Sequence, residues 1–446
     1  MGKSEIRTVG KVDLRKPASE QAILHNRWHP DIPFAGTIED GETVKIECVD
    51  WTGGQIGNND SADDIRNIDL TRIHYLTGPF EIKNAEPGDV LLVEIMDVQV
   101  ECSFIFASSP QPRHYYSPCV EEMISNNPFQ DQPWGFTGVF DKSNGGGFLD
   151  EIYPSAAKAI WDFEGIFCTS RHIPHVKFAG LIHPGILGCA PSAEVLGTWN
   201  MREAELIAAN KLDRQVALPP EPANAHAGVA DAVLKEKIAK EGARTVPGRP
   251  EHGGNCDIKN LSRGSRVYLP VHVPGAKFSV GDLHFSQGDG EISFCGAIEM
   301  AGIITINFKV VKNGMADLGL KSPIYIPGPV EPQFGAGRHI YFEGFSVDEH
   351  GKQHYNNPFE DNTGKDNYSD SNDQPDYSTS HNRRSFSAHL HPGPLSNPSD
   401  PGHDPRQVIC AVDFVALCPV DTILDPKPAT SNENLCGIRL YTSILG

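Results

Sequence analysis

Between Glu251 and Gly302 the chain reads EHGGNCDIKNLSRGSRVYLPVHVPGAKFSVGDLHFSQGDGEISFCGAIEMAG, and Asp257, Asp282, His284, Asp289 and Glu291 fall within that span. Carboxylates and imidazoles are the oxygen and nitrogen donors of zinc-class cation sites. Side chains alternate faces along an extended chain. If Gly281 to Phe285 is extended, Asp282 and His284 share one face and Leu283 and Phe285 take the other. Asp289 and Glu291 share a face in the same way, with Ile292 and Phe294 opposite. Gly253, Gly254, Gly281, Gly288 and Gly290 permit tight turns and close approach of backbone to a ligand. The plain alternative is turn chemistry, because Asp bonds its own backbone two residues on. Five acid or imidazole groups crowded among glycines favour a site over a set of turns.

Two further blocks carry polar chemistry. The first, DWTGGQIGNNDSADDIRNIDL, holds Asp50, Asp60, Asp63, Asp64 and Asp69 in a Gly/Asn-rich loop. Ser61 could cap a short helix with Asp63 and Asp64 in its first turn. Asp60 is less easily explained as a cap partner, so it is the candidate ligand from the first half of the chain. The second, SRHIPHVKFAGLIHPGILGCAP, holds His172, His175 and His183 beside a glycine-rich turn. A lone histidine is usually a satisfied polar group; three in this span point to one of them facing a site, and His183 is the candidate.

The elements that must position these residues are mostly strands. Thr43 to Asp50 alternates cleanly. Tyr75 to Val100 reads as a hairpin, with turns at Thr77-Gly78-Pro79 and Glu86-Pro87-Gly88-Asp89, followed by a long strand buried on both faces over Val90 to Val100. Ile303 to Val311 places Ile304, Ile306, Phe308 and Val310 on one face. Aromatic residues over 101–150 could pack loops or wall a pocket, and Asn144 to Asp150 could hinge a lid. Helices begin after Ser192, an N-cap candidate, and occupy Met201 to Ala209 and Val229 to Glu241. The expected architecture is a β-rich α+β chain of packed sheets with a helical insertion near 192–245.

With 446 residues the chain can bury a sizeable core. The 43 glycines and 35 prolines suit a turn-rich β protein. A net charge of −20 disfavours nucleic acid and anionic membranes as partners. No apolar run approaches the roughly 20 residues of a membrane span, and the N-terminus has no apolar signal core. Ten scattered cysteines without a CxxC pair suit a reducing, cytoplasmic compartment.

The chain resembles the acetamidase/formamidase family of amide hydrolases. The resemblance rests on HGGNCD, LPV.VPGA.FSVGD.H.SQGDGEI, AIE, DWTGGQI with DSADD, a TGP turn followed by AEPGD, and HPGILGCAPS. DWTGGQI, RHIP…FAG and HPGILGCAPS look like its longer formamidase branch. It implies a β-sandwich fold, a homo-oligomer, and hydrolysis of formamide, with other short amides possible substrates, to a carboxylate and ammonia. It runs to about Gln353, giving a catalytic domain over 1–348, a polar segment over 349–407 whose composition suits disorder, and an atypical tail over 408–446. That altered C-terminus leaves a catalytically impaired variant as an alternative.

Amide hydrolysis needs a strong nucleophile, a polarised carbonyl and a protonated leaving amine. A bound zinc-class ion lowers the pKa of water from about 15.7 to about 7. The expected ligands are Asp60, Asp257, Asp282 and His284, with Zn²⁺ as the ion and Ca²⁺ as the alternative. Glu291, His183 and Asp289 are the expected catalytic groups, Glu291 shuttling the proton to nitrogen. Gly253, Gly254, Asn255 and Gly188 are the expected substrate contacts. The rivals are a cysteine nucleophile, Cys189 or Cys256 with His252 nearby, and a non-enzymatic β-rich binding module.

Overall fold

The computed structural model describes residues 6–100, 133–140, 155–172, 175–209, 222–287 and 295–328. The expected disordered segment, the atypical tail and the candidate lid hinge lie outside them, as do Asp289 and Glu291.

Alternating apolar residues build two packed sheets, the β-rich α+β architecture expected. One sheet runs in the order Arg7–Gly10, Thr43–Cys48, Gly302–Val311, Val90–Val100, Arg266–Pro270, Ile324–Ile326. The larger sheet places Trp134–Val139, Ile298–Met300, Phe278–Ser286, His183–Cys189 and Gly253–Asn255 side by side. Their inner faces share one core: Val44, Ile46, Ile304, Ile306 and Phe308 from the first meet Phe80, Trp161, Phe278, Val280, Leu283 and Phe285 from the second. Phe278 and Phe308 meet edge to face across that layer at 4.9 Å.

The expected hairpin over Tyr75 to Val100 does not form. Leu76–Ile82 runs through Thr77-Gly78-Pro79 as one strand of the larger sheet, while Val90–Val100 belongs to the other. The Glu86-to-Asp89 turn therefore carries the chain between sheets. Gly78, at φ +134°, lets a strand accept the proline without a turn. Val90–Val100 is buried mainly in its first half, and Met96 is exposed.

Helices are few. Asp63–Asn67 forms the short helix expected, but Ala62 is its N-cap and Ser61 Oγ accepts from Asp63 N at 3.2 Å. Ala193–Ala209 starts as expected at Ser192, whose hydroxyl accepts from Val195 N at 3.2 Å. Ala232–Glu241 is capped by Asp231, which accepts from Leu234 N at 2.9 Å. Among the described residues no helix is long and apolar enough to cross a membrane.

Candidate metal centre

The Phe278–Ser286 strand changes phase in its middle. Phe278 and Val280 point into the inter-sheet core, and so do Leu283 and Phe285. A regular strand cannot bury both an even and an odd set on one face. The switch falls at Gly281 and Asp282, and Asp282 adopts φ +54°. It turns Asp282 and His284 together to the opposite face, as the alternation within 281–285 leads one to expect. A left-handed non-glycine residue is costly, and Asp tolerates it better than most. Asp257 is in the same region, at φ +43°.

Asp257, Asp282 and His284 are all buried, and one ligand atom from each lies within 4.8 Å of the others. Asp257 follows the Gly253–Asn255 strand, and the Gly185 carbonyl fixes it there, accepting from Cys256 N at 2.9 Å and Asp257 N at 3.0 Å. Gly185 has a second part. A Cβ on it would lie 2.6 Å from Asp282 Oδ2, 2.7 Å from His284 Cε1 and 2.8 Å from Asp257 Oδ1. The centre exists because that position carries no side chain.

The tautomer of His284 follows from a short chain of contacts. The Leu181 carbonyl can only accept, so His183 Nδ1 donates to it at 2.6 Å. His183 Nε2 is then the acceptor for His284 Nδ1–H at 3.3 Å. That leaves His284 Nε2 facing Asp282 Oδ1 at 3.3 Å and Glu299 Oε2 at 3.0 Å. Burial pulls the His183 pKa down to about 3, with the charge of His284 adding to the effect, so His183 stays neutral. Burial also acts to lower His284, but the Glu299 and Asp282 carboxylates outweigh it and hold its pKa well above the usual imidazole value. The Asp282 carboxyl is held low: burial opposes this, and His284 and His74 overcome it.

Glu299 was not among the residues expected from the sequence. It lies on Ile298–Met300, the strand beside Phe278–Ser286, paired directly with His284. Its Oε1 accepts from Gly296 N at 2.5 Å and Cys295 Sγ at 3.2 Å, leaving Oε2 toward the imidazole. A signal was present, since Glu299 is an acid inside the apolar run GAIEMAG. His74, stacked at a tilt 5.5 Å from Trp51, and Asp50, whose charge acts on Asp282, complete the polar surround.

Other expected residues are not among the three clustered donors. Asp60 is 77% exposed and pairs with His172 at 3.8 Å, away from the three-residue cluster. It belongs to a surface loop whose other members are tied down: Lys158, its side chain fully buried, reaches Asp64 at 2.6 Å, and Arg171 reaches Asn58 at 2.6 Å. Gly188 and Gly253 pack backbone on backbone, and Gly254 packs against the His252 ring. A Cβ on Gly188 would lie 2.8 Å from Gly254 N, and one on Gly253 would lie 2.5 Å from Leu187 O. Asn255 is buried and donates to Val246 O at 2.7 Å.

The cysteine alternative finds little support in this geometry. Cys189 and Cys256 are buried, and the Cys256 thiol donates to Gly185 O at 3.3 Å. Burial pushes the Cys189 pKa up, away from the thiolate a nucleophile needs. His252 Nδ1 donates to the Cys189 carbonyl, at 2.9 Å, not to a thiol.

The donor set fits a divalent cation: two carboxylates and an imidazole with its Nε2 turned inward, on a strained backbone. The chain is also similar to known proteins. The family model described as the Acetamidase/Formamidase family matches residues 11–362. A Schizosaccharomyces pombe protein provisionally named a formamidase is 65% identical over 351 residues, covering 78% of this chain and 79% of that one. The formamidase of Methylophilus methylotrophus is 49% identical over 353 residues, covering 78% and 79%. A solved gamma lactamase from Delftia acidovorans superimposes with a TM-score of 0.64 at 52% identity, covering 78% of each chain.

Proposed function

Because the chain belongs to the acetamidase/formamidase family, amidases that act on amide C–N bonds, we propose that it hydrolyses formamide to formate and ammonia at the Asp257–Asp282–His284 cluster. The observation that carries this reading is the convergence of those three buried donors within 4.8 Å. They would hold one divalent cation, and two carboxylates with one imidazole suit Zn²⁺ better than Ca²⁺, which takes 6–8 oxygen ligands. When bound, such an ion polarises a carbonyl oxygen and makes water a stronger acid.

The chain's own groups supply the rest. His183 holds His284 in the tautomer with Nε2 directed at the cluster. Glu299 Oε2, beside the cluster but outside the ligand set, takes a proton from the attacking water and delivers it to the departing nitrogen. Glu291, Asp289 and Asp60 are not needed for this assignment. Gly185 leaves the space at the donors. Trp51, Phe140 and Ile65 form an apolar cluster with Cys295, whose thiol touches Glu299, so one flank of the site is dry.

The relatives bear on substrate range. The formamidase of Methylophilus methylotrophus and the acetamidase of Mycolicibacterium smegmatis are each 49% identical to the chain, and the gamma lactamase is 52% identical. Formamide is favoured by the sequence blocks of the formamidase branch. One methyl group is worth only about 1–3 kcal/mol in a pocket, so acetamide should turn over at a reduced kcat/KM. Ammonia release from formamide, acetamide and propionamide tests the assignment: formamide is expected to have the highest kcat/KM. Turnover of none of the three would refute it.

A further inference from the structure

Outside the three-donor cluster, Ser19, Arg72, Tyr75, Asn224, His226 and Lys235 line a cavity of about 190 Å³. We propose that it is a binding site for a small oxyanion, a carboxylate or phosphate group. The argument begins with charge. On a chain of net charge −20, two cationic side chains converge here and no acid lines the wall. Arg72 uses Nε on Asp69 Oδ2 at 3.0 Å, which fixes the guanidinium plane, and its terminal nitrogens make no hydrogen bond within the described residues. Lys235 Nζ, on the exposed side of the Ala232–Glu241 helix, makes none there either.

Asp69 is the nearest carboxylate, and its charge is already answered. It accepts from Thr71 N at 3.0 Å, Thr71 Oγ1 at 2.5 Å, Arg72 Nε at 3.0 Å and Asn224 Nδ2 at 2.9 Å. Asn224 also donates to Thr71 Oγ1 at 2.7 Å, so the wall it forms is pinned. His226 is held by donating Nε2–H to Gln21 O at 2.8 Å. Tyr75 is only 3% exposed. The walls are therefore fixed while the terminal nitrogens of Arg72 and Lys235 Nζ make no hydrogen bond within the described residues, an arrangement that recognises planar or tetrahedral oxyanions through a guanidinium fork. The cavity is below the ~300 Å³ at which drug-sized pockets begin, which limits the occupant to one small group.

The test is calorimetric titration of the full chain with inorganic phosphate and, separately, with acetate, each at constant ionic strength set with chloride. Saturable binding of at least one is expected, and which one binds assigns the oxyanion class. Arg72→Gln and Lys235→Gln should each weaken it by about tenfold, the loss of one charge-assisted hydrogen bond. Lys235 is exposed, so its substitution spares the fold. Crystals soaked in selenate should show an anomalous peak within hydrogen-bond reach of Arg72 and Lys235. Absence of saturable binding for both anions, or binding that both variants leave unchanged, would overturn the proposal.

Discussion

Glu299 Oε2 lies 3.0 Å from His284 Nε2, so a carboxylate from one strand meets the imidazole of the next at the point where Asp282 also arrives. Two acids around one imidazole explain why the His284 pKa is held well above its usual value despite complete burial. They also separate two roles: Asp282 belongs to the compact donor set with Asp257, and Glu299 stands beside it.

Glu299→Gln should separate these roles. The amide oxygen can still accept from Gly296 N, so the fold and the cation should survive. Proton transfer is lost, and turnover should fall by about 10²–10⁴-fold. Metal content and kcat measured on the same preparation check this. Full turnover in the variant would remove Glu299 from the mechanism.

Gly185→Ala should abolish the centre while leaving the sheets. Its Cβ would press on Asp282, His284 and Asp257 at 2.6–2.8 Å. Cation affinity should drop by at least about tenfold, read by elemental analysis after dialysis, with an unchanged far-ultraviolet circular dichroism spectrum. Undiminished metal content would show that the donors tolerate a methyl group between them.

The Lys158–Asp64 pair makes a stability prediction. Lys158 has no exposed side-chain surface and also donates to Gly57 O and Asn59 Oδ1, both at 3.1 Å. Removing only its carboxylate leaves a buried charge, so Asp64→Ala should cost about 3–5 kcal/mol in urea unfolding. Lys158→Met combined with Asp64→Leu should cost much less. Equal losses in the single and double variants would contradict this.

His25 predicts a pH dependence. Its Nδ1 donates to Arg27 O at 2.8 Å and its Nε2 accepts from Ser279 Oγ at 2.7 Å, so the ring is neutral. Burial lowers its pKa from 6.5 to about 3. Between those values the unfolded chain binds the extra proton. The stability from the neutral ring is full above pH 6.5 and is lost as pH falls toward 3, by about 1.4 kcal/mol per unit. His25→Asn, less stable at neutral pH, should show a shallower fall between pH 6.5 and 5. Identical slopes would show that His25 does not titrate in this way.

Much of this arrangement was legible in the sequence because strand alternation is a local property. Period two put Asp282 and His284 on one face, and Asp257 lay in a glycine-rich block beside them. Gly185 and Glu299 were not legible, because their parts depend on which strands become neighbours. Gly185 faces Asp282 only once His183–Cys189 pairs with Phe278–Ser286, and Glu299 meets His284 only through the pairing of Ile298–Met300. Thr77-Gly78-Pro79 departs from the expected turn for a related reason. Gly-Pro is turn chemistry in isolation, yet strands on both sides of Leu76–Ile82 hold it extended. Asp60 stood out by composition, and its loop turns it to solvent.

The most direct test is ammonia release from formamide by the full chain, assayed before chelation, after chelation and after return of Zn²⁺, with metal content measured on each sample. Turnover should track one ion per chain, vanish with it and return with it, and Asp257→Asn should neither retain the ion nor recover. Undiminished hydrolysis by protein stripped of metal would contradict the account.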